Sequence, residues 1–239
     1  MKQNFIDHNV AKECMIQEDK WASSHGIIRD NGYLGTSLLY YSFVYSLPAK
    51  TAVILGSGDG LVPRFVRQAQ REVPDPTFAK ESLCILIDAD KDIHSFGAPS
   101  YHDKNSHFFK EAYPEIEIWK MTTDQAITPL KEKGVKIDFL HIDADHTFSQ
   151  SLLDFENYLP LMSDDFIITM HDTAINHLEG WKDGCVARTI ALLRKEMESG
   201  GRFSHLEMIN INTRRYRDTH YFGKKMECCG VAVIKPKVD

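Results

Sequence analysis

The chain has 239 residues, enough for one large domain or two small ones at roughly 150 residues per domain. Hydrophobic residues make up 43% and charged residues 26%, which matches soluble globular proteins and excludes a disordered, collagen-like or membrane-embedded chain. The formal charge of −6 disfavours a general nucleic-acid binder, because such proteins need a positive surface to meet the phosphates.

Short apolar runs alternate with segments of helical spacing along the chain. The first fifty residues favour helix, with Thr36 as a plausible cap before an apolar face that begins at Leu38. Five apolar runs then predict strands, at residues 51–55, 83–87, 116–121, 137–142 and 165–170. Helical periodicity follows most of these runs, for example over residues 149–162 and again between Val186 and Met197. Two further strand candidates, at residues 203–211 and 231–235, have no helical pattern between them.

This alternation predicts the fold class. Continuous apolar runs separated by helices are typical of strands that are buried on both faces of a parallel sheet. We therefore expect an α/β fold with a doubly wound, mostly parallel, seven-stranded Rossmann-like sheet, whose last two strands form an antiparallel pair at one edge. No linker or repeat divides the chain, so we expect one structural domain, with residues 1–50 as an N-terminal helical cover on an α/β part of residues 51–239.

Cysteine usage and the absence of targeting signals predict the compartment. The five cysteines are odd in number, show no zinc-ligand spacing and include the adjacent pair Cys228 and Cys229. The longest apolar-looking run, residues 38–47, is about half the length needed to span a bilayer. The first residues lack the apolar core and cleavage site of a signal peptide. We therefore expect a reduced, cytoplasmic, soluble protein with no membrane partner.

Glycines and carboxylates gather where the predicted strands end, which is where ligands bind in an open parallel sheet. Residues 56–60, Gly56-Ser57-Gly58-Asp59-Gly60, follow the first strand directly. Alternate glycines permit a sharp turn and close approach of a ligand, and the next helix offers free amides. The spacing matches neither the dinucleotide fingerprint G-x-G-x-x-G nor a phosphate loop. The segment therefore predicts a ligand-binding turn, with an ordinary glycine-rich turn as the alternative.

The next two strands end in carboxylates that suit a nucleoside. Asp88, at the end of the second strand, can accept two hydrogen bonds from a ribose hydroxyl pair, and Asp90 competes with it for that role. Asp124 ends the third strand and could meet an exocyclic base amine, or could simply cap the following helix.

The fourth and fifth strands bring carboxylates and imidazoles to the same edge. Residues 143–146, Asp-Ala-Asp-His, follow the fourth strand, and His171 and Asp172 follow the fifth. Adjacent parallel strands lie about 4.8 Å apart, so Asp143, His171 and Asp172 could converge on one cation, for which their mixed oxygen and nitrogen atoms suit magnesium or manganese. His146 would then be free as a general base, with a pKa near neutrality. Alternatively, Asp145 and Asp172 cap helices and His146 is an ordinary loop residue.

These residues together resemble a class I S-adenosylmethionine-dependent methyltransferase, over roughly residues 50–173. The set is similar to the metal-dependent O-methyltransferases of the macrocin and natural-product sugar type, whose most specific signature resembles IDFLHIDADHTFSQSLLDFENYLPLM here. The resemblance implies that S-adenosylmethionine (SAM) is the cofactor. It implies a set of cofactor-binding residues: Gly56, Ser57, Gly58, Asp59, Gly60, Asp88, the adjacent Ala89, Asp124 and Asp143.

The same resemblance implies the reaction, which is methyl transfer from SAM to a hydroxyl of a small-molecule substrate. Asp143 would be a metal ligand, with Mg²⁺ or Mn²⁺ polarising the hydroxyl, and His146 would take the proton. Asp145 would either orient His146 or belong to the metal set. Two positions depart from the family's pattern: Ile54 stands where an acid usually anchors the cofactor, and His171 replaces a carboxylate.

The sequence says less about the molecule that accepts the methyl group, and it leaves other functions open. Residues 174–184 could close over a substrate. The basic and aromatic residues between the last two strand candidates could receive an anionic or sugar substrate, or form a subunit contact in a homo-oligomer. The alternatives are a nicotinamide oxidoreductase, a metal-dependent hydrolase that uses the same carboxylates, and a non-catalytic nucleoside-binding protein.

Overall fold

The computed structural model of the chain describes residues 25, 34–56, 60–89, 112–173, 185–211, 220–221, 224–225 and 230–238. Six helices lie in these ranges: α1 (Ser37–Ser46), α2 (Leu61–Glu72), α3 (Phe78–Glu81), α4 (Thr123–Lys133), α5 (Phe148–Tyr158) and α6 (Val186–Glu198). The strands are β1 (Thr51–Leu55), β2 (Leu83–Asp88), β3 (Glu117–Lys120), β4 (Ile137–Ile142), β5 (Met162–His171), β6 (Leu206–Ile211), β7 (His220–Tyr221), β8 (Lys224–Lys225) and β9 (Val231–Pro236).

Seven of the strands form one sheet, in the order β3-β2-β1-β4-β5-β9-β6. Strands β1 to β5 are parallel, and β9 runs antiparallel to both β5 and β6. The predicted α/β, doubly wound, mostly parallel seven-stranded sheet with an antiparallel edge pair is therefore confirmed. Strands β7 and β8 form a separate two-stranded ladder.

Helices cover both faces of the sheet because its central strands are apolar on both sides. The β1 residues Ala52 and Ile54 face one core cluster, which also contains residues of α1 and α2, and the alternate residues Val53 and Leu55 face the other. All four side chains are fully buried. Burial of a continuous apolar run on two faces explains why β1 shows no alternation of polar and apolar residues in the sequence.

Three predicted boundaries change in the structure. The fifth strand begins at Met162, where its register against β4 is irregular. Helix α5 ends at Tyr158 and continues as a 3₁₀ turn, because Pro160 lacks the amide that another α-helical turn needs. Turns occupy residues 202–205, so the sixth strand begins at Leu206.

The described part of the N-terminal region packs against one face of the sheet. Tyr40 and Val44 of α1 are fully buried in the cluster that contains Ile54. Thr36 precedes α1 as predicted, but its side chain makes no capping hydrogen bond. Its hydroxyl instead donates to the carbonyl oxygen of His25 at 2.9 Å. The division into a cover of residues 1–50 and a domain of residues 51–239 stays a prediction.

No helix within the described residues is both long and apolar enough to cross a bilayer.

Candidate active site

The ends of β1, β2 and β4 meet at a glycine. The amide of Gly56 donates to the carbonyl of Ile87 at 2.9 Å, and the amide of Asp143 donates to the carbonyl of Leu55 at the same distance. Gly56 has a φ of +84°, and a Cβ on it would lie 2.0 Å from the carbonyl oxygen of Asp143. Only glycine fits this position, so the predicted ligand-binding turn starts directly against the residue that begins the carboxylate cluster.

The predicted turn ends at a helix start whose N-cap residue has no side chain. Gly60 has a φ of +74° and occupies the N-cap of α2, so it offers no side-chain acceptor to the first amides. Those amides can receive an anionic or polar ligand group. Ser57, Gly58 and Asp59, which the sequence also assigns to this turn, lie outside the described residues.

Of the two carboxylates predicted to meet a nucleoside, Asp88 ends a strand and Asp124 lies in the helix that follows the next strand rather than at the strand end. Asp88 is the last residue of β2 and is half-buried, and Ala89 follows it. Asp124 lies in the first turn of α4, where it is exposed and accepts a hydrogen bond from Nε2 of Gln150 at 3.2 Å. Thr122, rather than Asp124, caps that helix, so Asp124 keeps a carboxylate at the surface. Asp90 lies outside the described residues.

Ile54 cannot replace the missing cofactor anchor. Its side chain is fully buried in the apolar core on the face that α1 and α2 cover. Within the sheet it pairs with Leu86 on one side and His141 on the other. An acid here would be buried among apolar side chains, so the departure from the family's pattern is built into the core of this protein.

His146 bridges the two carboxylates that the sequence assigns to the metal. Its Nε2 lies 3.2 Å from Oδ1 of Asp143, and its Nδ1 lies 2.9 Å from Oδ2 of Asp172. Asp172 has a φ of +59°, a conformation that few residues other than glycine adopt. This strained backbone turns its carboxylate back toward β4, so Asp172 belongs to the cluster rather than capping a helix.

His171 joins the same cluster from the end of β5. Its Nδ1 lies 3.1 Å from Oδ1 of Asp172 and 3.4 Å from Oδ1 of Asp143. The three predicted metal ligands are therefore together. Among the described residues, however, potential ligand atoms fall into two other groups, His25 with Asp143 and His171, and Asp143 with His146 and Asp172. Atoms in each group lie within 4.8 Å of one another.

Asp145 takes a different place from its neighbours in the sequence. Its Oδ1 accepts a hydrogen bond from the amide of Thr147 at 2.8 Å, in the turn that leads into α5. It belongs to neither group of potential ligand atoms. This contact makes Asp145 part of the turn between β4 and α5, and its predicted role toward His146 stays a prediction.

Two histidines that the sequence analysis did not select complete the cluster. His25 stacks on His171, with ring centroids 4.1 Å apart, and its Nε2 lies 3.8 Å from Oδ2 of Asp143. His141 lies within β4, with Nε2 at 3.7 Å from the same oxygen. The position of His141 inside the apolar run IDFLHI is unusual for a polar residue, and it could have marked His141 as a candidate site residue. His25 has no such signal, because only the tertiary fold carries it to the site.

Charge pairing sets the protonation of the cluster. Burial alone would raise the pKa of both Asp143 and Asp172, but the neighbouring histidines hold each pKa below its usual range. Burial alone would lower the pKa of His171, and the same two carboxylates raise it well above its usual value. Burial also opposes the proton on His146, yet Asp143 and Asp172 raise its pKa to about 10.

The other two histidines are neutral. Burial, reinforced by His171, lowers the pKa of His25, and burial lowers the pKa of His141. The expectation that His146 has a pKa near neutrality is therefore wrong, because two carboxylates hold its proton. In this state two imidazolium groups, on His146 and His171, balance the two carboxylates.

Comparisons with known proteins agree with this fold. A family model described as a methyltransferase domain matches residues 53–173, a range that contains both the glycine turn and the carboxylate cluster. A search of curated proteins finds no significant match. The structure is similar to the O-methyltransferase from Bacillus cereus in complex with SAH, with a TM-score of 0.62 and 13% identity over 96% of this chain and 91% of that one.

It is also similar to the O-methyltransferase TomG from Streptomyces achromogenes, involved in tomaymycin synthesis and solved with SAM. The TM-score is 0.58, with 13% identity over the whole of both chains. At such identities the likeness concerns the fold.

Proposed function

Because the chain belongs to the family of methyltransferase domains, we propose that it is a SAM-dependent O-methyltransferase acting on a hydroxyl of a small molecule of the sugar or natural-product class. One observation carries the proposal most directly. Gly56, the start of the predicted cofactor turn, packs against the backbone of Asp143, the start of the carboxylate and histidine cluster. A donor held by the turn and a hydroxyl held by the cluster would be neighbours, as methyl transfer requires.

The described residues fit SAM at several points. The first amides of α2 follow an N-cap glycine and can bind the carboxylate of the methionine part. Asp88 ends β2 as an acceptor for ribose hydroxyls, and the exposed carboxylate of Asp124 can accept from an exocyclic amine. Ile54 does not fit the family's acidic anchor, so the amino group of SAM needs another acceptor in this chain. SAM, when bound, supplies a methyl group on a positively charged sulfur.

We assign proton acceptance from the hydroxyl to Nε2 of His146 in its neutral form, which requires that the ring first lose the proton that Asp143 and Asp172 stabilise on it. The His146 side chain is 31% exposed, whereas those of His25, His141 and His171 are 7%, 0% and 2% exposed. A substrate can therefore reach His146 and none of the other three. Asp143 and Asp172 contact the two nitrogens of its ring and so fix the orientation of the imidazole.

The resemblance implies that Asp143, His171 and Asp172 of the same cluster would hold a divalent cation. Oxygen and nitrogen atoms of this kind bind Mg²⁺ or Mn²⁺. Such an ion would supply positive charge beside the substrate oxygen. Residues 174–184, the expected substrate loop, and most of the basic aromatic segment between β6 and β9 lie outside the described residues.

Calorimetric titration with SAM and SAH tests the cofactor assignment, and release of SAH with a panel of catechol and sugar hydroxyl acceptors tests the reaction. We expect both nucleosides to bind, and the variant Asp88→Asn to weaken both at least tenfold by losing an acceptor for the ribose. Asp164→Asn is the matched control, because Asp164 is an exposed residue near the opposite end of β5. Failure of the wild-type protein to bind either nucleoside would overturn the proposal.

A further inference from the structure

Asp143 presents its two carboxylate oxygens to two different pairs of histidines. Oδ1 faces His146 at 3.2 Å and His171 at 3.4 Å. Oδ2 faces His25 at 3.8 Å and His141 at 3.7 Å. The second oxygen therefore faces a histidine from the N-terminal part of the chain, which is not among the ligands implied by the family resemblance.

We propose that His25, Asp143 and His171 form a site for a borderline divalent transition-metal ion, in which the N-terminal part of the chain supplies one ligand. The inference rests on the proposed function, since it changes the ligand set and the metal class of the same active site. A nitrogen-rich set of two imidazoles and one carboxylate favours Co²⁺, Ni²⁺ or Zn²⁺ over Mg²⁺, which prefers oxygen ligands.

The geometry of the three side chains suits a single ion. Their potential ligand atoms, one from each residue, lie within 4.8 Å of one another. Metal bonds of about 2.0–2.2 Å separate neighbouring ligand atoms by about 3–4 Å. His25 lies 3.8 Å from Oδ2 of Asp143 and His171 lies 3.4 Å from Oδ1, so the two imidazoles contact different oxygens of one carboxylate. The rings of His25 and His171 are stacked with an interplanar angle of 25°, so a common ion requires one ring to rotate until both in-plane lone pairs converge.

Contacts behind His25 hold it in place for this role. Its carbonyl oxygen accepts from the amide of Thr36 at 2.8 Å and from the Thr36 hydroxyl at 2.9 Å. Its Nδ1 lies 3.4 Å from the hydroxyl of Tyr40. Histidines that bind metals usually donate the second ring N–H to an acceptor, and the Tyr40 oxygen can accept it. That arrangement leaves Nε2, the nitrogen nearest Asp143, for the ion.

His141 provides an independent indication of a cation. It is fully buried, and its Nε2 makes no hydrogen bond to the described residues although it lies 3.7 Å from Oδ2 of Asp143. Its Nδ1 is 2.8 Å from the hydroxyl of Thr169, which donates to the carbonyl of Leu140. In the tautomer with its proton on Nδ1, His141 donates to the Thr169 hydroxyl, and Nε2 presents a lone pair to Oδ2 of Asp143. A cation near Oδ2 would relieve the repulsion between these two acceptors and favour this tautomer.

Metal titration of the full chain tests the site. The protein is stripped with a chelator and titrated calorimetrically with CoCl₂ and, separately, with MgCl₂. We expect one Co²⁺ per chain and at least 100-fold weaker binding of Mg²⁺. The variant His25→Gln should lower Co²⁺ affinity at least tenfold. His205→Gln should leave it unchanged, because His205 is an exposed residue in the turns before β6.

A measurement on the wild-type protein covers the case in which His25→Gln fails to fold. X-ray absorption of the Zn²⁺-loaded protein should show at least two imidazole ligands. A single imidazole, or an unchanged Co²⁺ affinity in folded His25→Gln, would overturn the proposal, because the ion would then be held by a set with one imidazole or without His25. SAM binding measured without metal separates the two inferences. A chain that binds SAM but not Co²⁺ contradicts the metal site alone, and one that binds Co²⁺ but not SAM contradicts the proposed function.

Discussion

Gly56 and Asp143 are in such close contact that the first cannot carry a side chain: a Cβ on Gly56 would lie 2.0 Å from the carbonyl oxygen of Asp143. The contact joins the end of β1 to the end of β4. It therefore couples the turn that we assign to the cofactor with the cluster that we assign to the acceptor hydroxyl.

Gly56→Ala should be far more destabilising than alanine at another glycine with positive φ. Alanine at Gly56 meets both the left-handed backbone penalty and a collision with the Asp143 backbone, for a combined loss of about 3 kcal/mol or more. Gly134→Ala is the matched control: Gly134 has a φ of +65° but nothing within 4 Å of a Cβ, so about 1 kcal/mol is expected. Urea unfolding measures both, and equal losses would contradict the close contact.

His146→Gln should reduce methyl transfer without loss of cofactor affinity. Glutamine keeps a polar group beside Asp143 and Asp172 but cannot take up a proton, so we expect kcat to fall by about 10²–10⁴-fold. SAM affinity should stay within about twofold of wild type, because His146 belongs to the acceptor side of the site. SAH release and calorimetry provide the two measurements. A comparable loss of SAM affinity would instead place His146 at the cofactor.

Asp154→Asn should remove a pH dependence of stability between about pH 4 and pH 6. Asp154 is buried, which raises its pKa to about 6 despite hydrogen bonds from Thr123 and Gln150. A carboxyl with a raised folded-state pKa binds more protons when folded, so its contribution to stability falls as pH rises from about 4 to above 6. The shift of about two pKa units corresponds to at most about 3 kcal/mol.

Urea unfolding at several pH values measures this effect. Asparagine cannot ionise and keeps an oxygen for the two hydrogen bonds, so the variant should lose the slope that Asp154 contributes to the wild-type curve. Asp164→Asn, at an exposed acid, should leave the curve unchanged. A curve for Asp154→Asn that is parallel to wild type across this range would show that Asp154 ionises normally.

Thr36→Val should weaken metal binding while leaving α1 intact. The Thr36 hydroxyl donates to the carbonyl of His25 and makes no capping bond to the helix, so its loss loosens His25 rather than α1. One hydrogen bond of about 0.5–1.5 kcal/mol corresponds to a decrease of about two- to tenfold in Co²⁺ affinity. Calorimetry measures the affinity and circular dichroism the helix. Loss of helical signal with unchanged affinity would show that Thr36 acts as a cap.

The sequence predicted the sheet well because its signals are local. A strand buried on both faces must be apolar along its length, so β1 and β4 could be located to the residue. A turn that needs positive φ favours glycine, which marked Gly56 and Gly60. The parallel order of the strands then implies that Asp143, His171 and Asp172 share an edge, and the structure brings them together there.

By itself, then, the sequence determined the fold class, the edge of the sheet that carries the site, and most residue types present there. Only the tertiary structure decided which groups meet. His25 arrives from a distant part of the chain, held by Thr36, and no periodicity encodes that approach. Nor could the sequence show that Asp143 and Asp172 raise the pKa of His146, since a pKa depends on burial and on the distances between charges. Local patterns set the strands and turns, whereas the chemistry of the cluster depends on contacts between residues far apart in the chain.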